Sequence, residues 1–460
     1  MRVGKNQFKQ IADLAFHSRL KRWVFLLFPS RFSVWLFRRL LDSDSERNSL
    51  VAAKFLVEAQ EIYPSKYVLL LPKFLRFALR LAQTNLPNTF LRLFINSVSE
   101  TRRYPARRNL ISECIHKSVL NLDHRQSTAH GWKLVSLALT GFGFIRAGTV
   151  ARKHCLEAAL QEVSDGKAGS RTVHLAIQGL LEGRRFEEAI QCIELHASDL
   201  DANSANITYG DYLALMGKRR PNFATSKSGS AAPKNDISHD LLTDKSVALV
   251  ASGEIVTTSG EDIDRQDTVA RVKFHDFDTM SNTEFSGSRC DLTFYSRYEV
   301  DNFVTKSKSD PTYLNFLKSV KLIVVKQRDK VQISDIPVRN VEVRAPTFLT
   351  TATSGTLFLF DILRHLPKKV KLFGFNFYSE RRVYNSALLD FYKIDLSSHK
   401  KASANIASGF ISHDPRSDFL LVKNLYELSG LIDGTPEVLE ILNLTADEYD
   451  ARLEEMLGDW

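Results

Sequence analysis

The stretch that decides the fold of the C-terminal half is Ser246-Val-Ala-Leu-Val-Ala251-Ser252-Gly253. Its continuous run of apolar and small residues predicts a strand buried on both faces, and the Ser-Gly pair predicts a turn. Such strands belong to parallel sheets, which bind ligands at the carboxyl ends of their strands. Ser252 and Gly253 are therefore candidate ligand-binding residues, because small side chains let a ligand approach backbone amides.

Downstream of this stretch, short apolar strands alternate with helical runs. The alternation predicts a Rossmann-like α/β domain over residues 246–430, with a mostly parallel sheet covered by helices on both faces. The remaining strands are expected at 268–274, 291–295, 321–326, 341–343 and 370–375, and the clearest helices at 355–365 and 418–428.

A helical tail is expected to follow the α/β domain, over residues 431–460. Thr435-Pro436 is a favourable pair for the N-cap and first position of one helix. Thr445-Ala-Asp-Glu448 has the spacing of a capping box and predicts the start of a second helix.

Before the α/β domain, the periodicity is helical over residues 45–216, and a polar, Ser- and Lys-rich linker is expected at 217–245. Residues 176–193 resemble the helix–turn–helix of a tetratricopeptide-like repeat, and 132–160 resemble a degenerate copy. The sequence thus predicts an N-terminal helical, repeat-like domain, a type that binds protein partners.

Residues 1–44 form a basic, aromatic segment. The first 110 residues carry a net charge of +13 against +9 for the whole chain, so the rest of the chain is acidic by 4 charges. Either this segment lies in an anionic membrane interface, or its aromatic face packs on the next domain; an Arg-rich targeting peptide is a third reading. Nucleic-acid binding is disfavoured because no recognition module is visible.

The distribution of cysteines predicts a reducing compartment. Cys114, Cys155, Cys192 and Cys290 are far apart, which indicates free thiols in a cytosolic protein rather than a disulfide framework or a zinc site. No run of apolar residues reaches the length that crosses a bilayer, so we expect a cytoplasmic protein, with peripheral attachment at the inner face of the membrane as a further option.

Three segments of the α/β half carry chemistry. The first runs from the strand and turn at residues 246–253 to Lys273, and its second half reads Ile263-Asp264-Arg265-Gln266-Asp267-Thr268-Val269-Ala270-Arg271. Thr353-Ser354-Gly355 precedes a helix and then a strand that ends in Phe373-Gly374-Phe375; a hydroxyl-bearing turn at a helix N-terminus suits an anion. His413-Asp-Pro-Arg-Ser-Asp418 opens the next helix.

In this order and spacing, the three segments resemble the large sialylmotif, the small sialylmotif and the last motif of glycosyltransferase family 29, the eukaryotic-type sialyltransferases. The resemblance covers slightly under half of the chain. It implies an inverting transferase that moves a 2-keto acidic sugar, sialic acid or Kdo, from its CMP donor to a glycan hydroxyl, without a metal or another cofactor. His275-Asp276-Phe-Asp278 is the nearest approach to a metal-binding carboxylate motif.

The resemblance also implies roles for individual residues. His413 would be the general base, since a catalytic base needs a pKa near neutral. Ser252, Gly253 and Lys273 would bind the nucleotide, and Thr353, Ser354 and Gly355 would contact the sugar carboxylate or the phosphate. Asp264 and Asp267 would fix their loop, and Arg271 would serve as either an ion-pair partner or a ligand.

The chain departs from the family at several positions. Ser252 and Lys273 stand where the family has the asparagines that hold the cytidine nucleotide. The cysteines that join the two sialylmotifs in secretory-pathway members fall on Val247 and Pro367, in agreement with a reducing compartment. The family's His-Tyr motif is replaced by a segment that contains Arg381, Arg382 and Tyr384, in which one arginine would contact the phosphate.

Two classes of function follow from the sequence. The first is a CMP-sugar-dependent glycosyltransferase of cell-surface polysaccharide biosynthesis, such as capsule or lipopolysaccharide assembly. The alternative is a non-catalytic interaction protein, in which the helical repeats bind a partner and the transferase domain is degenerate.

Overall fold

Helices make up the described residues before 218, and strands alternate with helices after 237. The computed structural model describes residues 108–200, 205–218, 237–273, 283–296, 318–326, 337–341, 344–380 and 413–457, all within one unit that spans Ala82–Trp460. The predictions for residues 1–44, for the helical domain before residue 108 and for linker residues 219–236 lie outside the described residues.

Two groups of helices can be distinguished along the chain. The first comprises α1 Arg108–Leu120, α2 Ala129–Gly141, α3 Ile145–Ser164, α4 Ser170–Glu182, α5 Phe186–Leu195 and α6 Asp211–Leu215, with a 3-10 turn at His124–Gln126 and a π-helical turn at Ala205–Gly210. The second comprises α7 Ile237–Leu242, α8 Gly260–Asp264, α9 Thr283–Ser286, α10 Ser354–Leu363, α11 Pro415–Ser429, α12 Pro436–Asn443 and α13 Ala446–Leu457.

The described residues contain one sheet of seven strands, all parallel, in the order β5-β4-β3-β2-β1-β6-β7. The strands are β1 Ser246–Val250, β2 Thr268–Val272, β3 Leu292–Ser296, β4 Leu322–Lys326, β5 Val338–Val341, β6 Lys369–Phe373 and β7 Ile432–Gly434. The predicted α/β fold with a parallel sheet is thus confirmed. The first strand and its neighbours read as apolar runs because helices cover both faces of a parallel sheet.

At the sheet edges the structure differs from the sequence-based expectation. The sequence predicts a helical tail from residue 431, but residues 432–434 form β7, which pairs with β6. A segment of three residues that includes Asp433 and a glycine is too short to show the two-residue period of a strand. At the opposite edge, β5 begins at Val338, three residues before the predicted strand, because Arg339 and Asn340 interrupt the apolar run.

Helix α10 joins the sheet to the first group of helices. All of its residues from Thr356 to Leu363 are buried, as expected for a mostly apolar helix that is covered on all sides. On one side Phe358 stacks on Phe294 of β3, with ring centroids 5.0 Å apart. On another side Phe360 stacks on Tyr212 of α6 at 5.7 Å. Both groups of helices therefore share a core with the sheet.

The two predicted helix–turn–helix stretches are present as helix pairs. α2 and α3 are joined through Gly143, whose φ of +78° is a conformation that glycine adopts without steric cost. α4 ends at Glu182 with Gly183 as its C-cap, and α5 begins at Phe186. Whether these pairs belong to a longer repeat array stays a prediction, because the earlier part of that domain lies outside the described residues.

The C-terminal helices begin as the sequence indicates. Thr435 is the N-cap of α12, with Pro436 at its first position. Before α13, the backbone amide of Glu448 donates to the Thr445 hydroxyl at 3.2 Å, and the Thr445 amide donates to the Glu448 carboxylate at 2.7 Å, so the capping box is formed. Within the part of the chain that the structure describes, none of the helices has the length and apolar character needed to span a membrane.

Gly260 should not tolerate a side chain. A Cβ at this position would lie 1.9 Å from the carbonyl oxygen of Thr283, a backbone atom that cannot move away cheaply. Gly260→Ala is therefore expected to lower the free energy of unfolding by about 2 kcal/mol or more. Chemical denaturation measures this loss. Gly169→Ala, where nothing lies within 4 Å, is the control, and equal stabilities of the two variants would contradict the prediction.

Candidate functional site

A cleft of about 590 Å³ opens at the carboxyl ends of the central strands. Strand order reverses between β1 and β6, since β2 to β5 extend to one side of β1 and β6 and β7 to the other. Loops that leave the sheet on opposite sides of such a reversal diverge and leave a crevice, which is where open α/β sheets bind ligands. The lining comes from the ends of β1, β2 and β6 and from the starts of α10 and α11.

The floor of the cleft depends on the close approach of two backbone segments. The amide of Gly253 donates to the carbonyl oxygen of Gly374 at 3.1 Å, and the amide of Ala251 donates to that of Phe373 at 2.8 Å. A Cβ on Gly253 would lie 2.3 Å from the Gly374 oxygen, so this position requires glycine. The pairing of these loops leaves backbone exposed to the cleft without intervening side chains.

Unusual backbone conformations are concentrated around the cleft. Six non-glycine residues of the described segments have a positive φ, and three of them, Lys273, Phe377 and Tyr378, line the cleft. Left-handed backbone is uncommon for such side chains, costs of order 1 kcal/mol or more, and clusters at functional sites. At Lys273 the conformation turns the chain away from β2 immediately at the edge of the cleft.

The N-terminus of α10 faces the cleft. Thr353 is its N-cap, and its hydroxyl accepts a hydrogen bond from the amide of Thr356 at 3.5 Å. The first amides of a helix have no partner within the helix and carry the positive end of its dipole. Ser354 and Gly355 supply those amides here, and both line the cleft. This arrangement can receive a phosphate or a carboxylate.

Asp418 places a buried carboxyl group beside this helix end. Its Oδ2 accepts a hydrogen bond from the amide of Thr353 at 2.9 Å, whereas its Oδ1 has no hydrogen-bond partner among the described residues. Burial raises the pKa of Asp418 to about 7; hydrogen bonds from Thr353 oppose this rise, and the neighbouring charge of Asp414 adds to it. Asp418 is thus the titratable carboxyl group of the cleft.

His413 lies on the wall of the cleft, just before α11. It forms an isolated parallel bridge with Thr351, and the next residue, Asp414, donates its amide to the Thr351 carbonyl at 3.2 Å. His413 borders two spaces, the cleft itself and a smaller pocket on the side of α2 and α3. A histidine held in this way can exchange a proton with a ligand in the cleft.

The last helix supports both the cleft and the His413 segment. The hydroxyl of Tyr449 in α13 donates to the carbonyl oxygen of Phe377 and lies 3.3 Å from that of Pro415. Its ring stacks on Phe419 of α11 at 4.1 Å. Helix α13, which the sequence predicts only as part of a helical tail, therefore holds two walls of the cleft.

Three charged residues of the first motif act outside the cleft. Asp264 accepts hydrogen bonds from the amides of Ser288 and Arg289, and Asp267 accepts one from the amide of Ser246 at 2.8 Å. Arg271 is buried and donates to the carbonyl oxygens of Ser286 and Arg289, both at 2.7 Å. All three hold the β1–β3 connections in place, as expected for Asp264 and Asp267.

The structure brings seven residues singled out from sequence to one cleft, although 161 positions separate the first from the last. They are Ser252, Gly253, Lys273, Thr353, Ser354, Gly355 and His413. Arg381, Arg382 and Tyr384 lie outside the described residues.

Sequence reasoning left other lining residues unassigned as ligand contacts, namely Asn376, Tyr378 and Asp418. The sequence does point to Asp418, because it is the last residue of the His413 motif. Its burial and its raised pKa, however, arise only from packing. Asn376 and Tyr378 follow the Phe373-Gly374-Phe375 strand end, which is where a ligand-binding loop leaves a parallel sheet.

Asp418→Asn should stabilise the protein more at high pH than at low pH. The folded-state pKa of about 7 exceeds the ordinary value of 3.8, so the wild-type protein loses stability as the pH rises from about 4 through 7, when the buried carboxyl must ionise. Asparagine removes this cost. The free energy of unfolding of Asp418→Asn minus that of wild type should therefore increase by about 3 kcal/mol between pH 5 and pH 8. Denaturation at both pH values measures it, and a gain independent of pH would refute the raised pKa.

Comparison with known proteins adds no family assignment. No protein-family model matches the chain, and no curated protein sequence matches it at a significant level. A function for the cleft must therefore be argued from its own residues and from the resemblance of its three motifs.

Proposed function

We propose that the protein is an inverting glycosyltransferase that moves a 2-keto acidic sugar from a CMP donor to a glycan hydroxyl. The observation that supports this is that residues of all three sialylmotif-like segments line one cleft at the reversal of strand order: Ser252, Gly253 and Lys273 from the first, Thr353 to Gly355 from the second and His413 from the third. Convergence of segments that are far apart in the sequence is what a shared donor site requires. The α/β sheet is compatible with the Rossmann-like, sialyltransferase-type domain that the resemblance implies.

The donor would bind with its charged groups against the helix end. The CMP phosphate and the sugar carboxylate are anions, and the amides of Ser354 and Gly355 at the start of α10 offer hydrogen bonds and a favourable dipole. The backbone at Ser252 and Gly253 would approach the nucleotide closely, and the Lys273 ammonium would add a positive charge at the same edge. A protonated Asp418 could donate a hydrogen bond to one of these anions.

His413 would act as the general base. The acceptor oxygen attacks the anomeric carbon from the face opposite the phosphate, its proton passes to the imidazole, and CMP leaves with the electron pair of the broken carbon–oxygen bond. The Nδ1 atom of His413 is buried, so the proton would be taken at Nε2. Hydrogen bonds and the dipole at the start of α10 would stabilise the charge on the leaving phosphate.

Sialic acid and Kdo both satisfy this scheme, because the two donors share the CMP group and the carboxylate beside the anomeric carbon. Assembly of a capsule or lipopolysaccharide glycan at the cytoplasmic face of a membrane would suit the basic segment at residues 1–44. The helical region would then meet the acceptor or a protein partner.

Selective nucleotide binding tests the class of enzyme. Calorimetric titration with CMP, with and without Mg²⁺, should show binding that does not depend on the metal, while UMP and AMP bind at least tenfold more weakly. Absence of CMP binding would refute the proposal, identify Ser252 and Lys273 as disabling departures, and favour the non-catalytic interaction protein.

His413→Ala should separate chemistry from binding. We expect at least a 100-fold loss of CMP release from CMP-sialic acid or CMP-Kdo, with the dissociation constant of CMP within about twofold of wild type. His196→Ala, at a half-buried histidine paired with Asp199 outside the cleft, is the matched control and should keep wild-type activity. Undiminished turnover in His413→Ala would exclude this residue as the base.

A further inference from the structure

A buried arginine of the helical region contacts the segment that carries His413. Arg152 lies in α3, and 6% of its side chain is exposed. Its guanidinium binds Asp414 with two hydrogen bonds, Nη1 to Oδ1 at 3.1 Å and Nη2 to Oδ2 at 2.9 Å. Asp414 directly follows His413 in the chain. The paired geometry fixes the orientation of the carboxylate as well as its position.

The same guanidinium is held from other sides. Its Nε donates to Glu182 of α4 at 2.8 Å, and its Nη2 contacts the Ser417 hydroxyl at 2.6 Å. Its Cζ lies over the ring of Phe348, 4.8 Å from the centroid. A group constrained by this many contacts has one available position, and lysine cannot reproduce its planar fork.

Arg152 also neutralises charge that is removed from water. Asp414 and Glu182 are both buried, and Arg416 pairs with Glu182 at 3.4 Å and with Asp450 at 2.9 Å. The charge of Arg152 keeps the pKa of Asp414 below its ordinary value in spite of burial. Without this cation, the three buried carboxylates Asp414, Glu182 and Asp450 would face the charge of Arg416 alone, which is a costly arrangement.

Asp414 connects Arg152 to the backbone at the wall of the cleft. Its Oδ2 accepts a hydrogen bond from the amide of Leu349 at 2.9 Å, and its Oδ1 accepts one from the amide of Ser417 at 3.1 Å, which caps α11. Its own amide donates to Thr351. The carboxylate that Arg152 orients therefore joins the start of α11, directly after His413, to the loop that leads into Thr353 and Ser354.

We propose that Arg152 is a positioning residue, which acts through Asp414 to hold His413 at the wall of the cleft. Helix α3 is then part of the catalytic unit rather than of a separate binding module. The inference rests on the proposed function in so far as it assigns the base to His413, but the ion cluster itself does not depend on that assignment.

Arg152→Lys tests the proposal, because lysine keeps the positive charge and loses the bidentate fork. CMP release from CMP-sialic acid and from CMP-Kdo, with water as acceptor, should show a kcat at least tenfold below wild type. The KM for the donor and the dissociation constant of CMP should stay within about twofold. Arg185→Lys is the matched control, since Arg185 also forms an ion pair in the helical region but lies at the surface. A lowered melting temperature with unchanged kcat would reduce Arg152 to a structural role.

A second measurement does not require activity. In full-length protein labelled with ¹³C-histidine, the His413 ring resonance is identified by its loss in His413→Ala. Arg152→Lys should shift or broaden that resonance, and Arg185→Lys should leave it unchanged. If wild-type protein neither binds CMP nor turns over, the proposed function fails while this resonance still tests Arg152. If turnover is present but neither kcat nor the resonance changes in Arg152→Lys, the positioning role is overturned and the function stands.

Discussion

The reversal of strand order at β1 is the constraint on which the rest of the molecule depends. In the described residues every strand pairing is parallel, so all strand carboxyl ends lie at one edge, and β1 is flanked there by β2 and β6. The loops after β1 and β6 meet at Gly253 and Gly374 and then diverge. The cleft, the left-handed residues at its rim and the N-terminus of α10 all follow from this arrangement.

A sheet of this kind must be covered on both faces, and here the covering helices also build the site. α10 is packed between the sheet and α6, which fixes the direction of its N-terminus. α11 brings Asp418 to that N-terminus, and α13 supports α11 through Tyr449. The charged cluster around Arg152 then links α3 to the start of α11 through buried side chains. Buried ion pairs add little net stability, because the cost of desolvating the charges offsets their attraction.

Much of the fold and most of the candidate site could be predicted from sequence, for identifiable reasons. β1 to β4 and β6 are apolar runs bounded by turn residues, and the caps of α12 and α13 are formed by residues within four positions of each other. β7 could not be predicted, because its three residues are too few to show the two-residue alternation of a strand. The ordered motifs selected Ser252, Thr353 and His413 as partners in one site, since parallel strands bring their carboxyl ends to a common edge.

What the sequence by itself determined is therefore local: strand and helix periodicity, turn and cap chemistry, and the residue types at each strand end. Only the tertiary structure decided that Asp418 is a buried carboxyl with a raised pKa, and that Arg152 binds Asp414, which is 262 positions away in the sequence. Burial and long-range pairing depend on which surfaces pack together. That packing is a property of the whole fold, and no short window of sequence contains it.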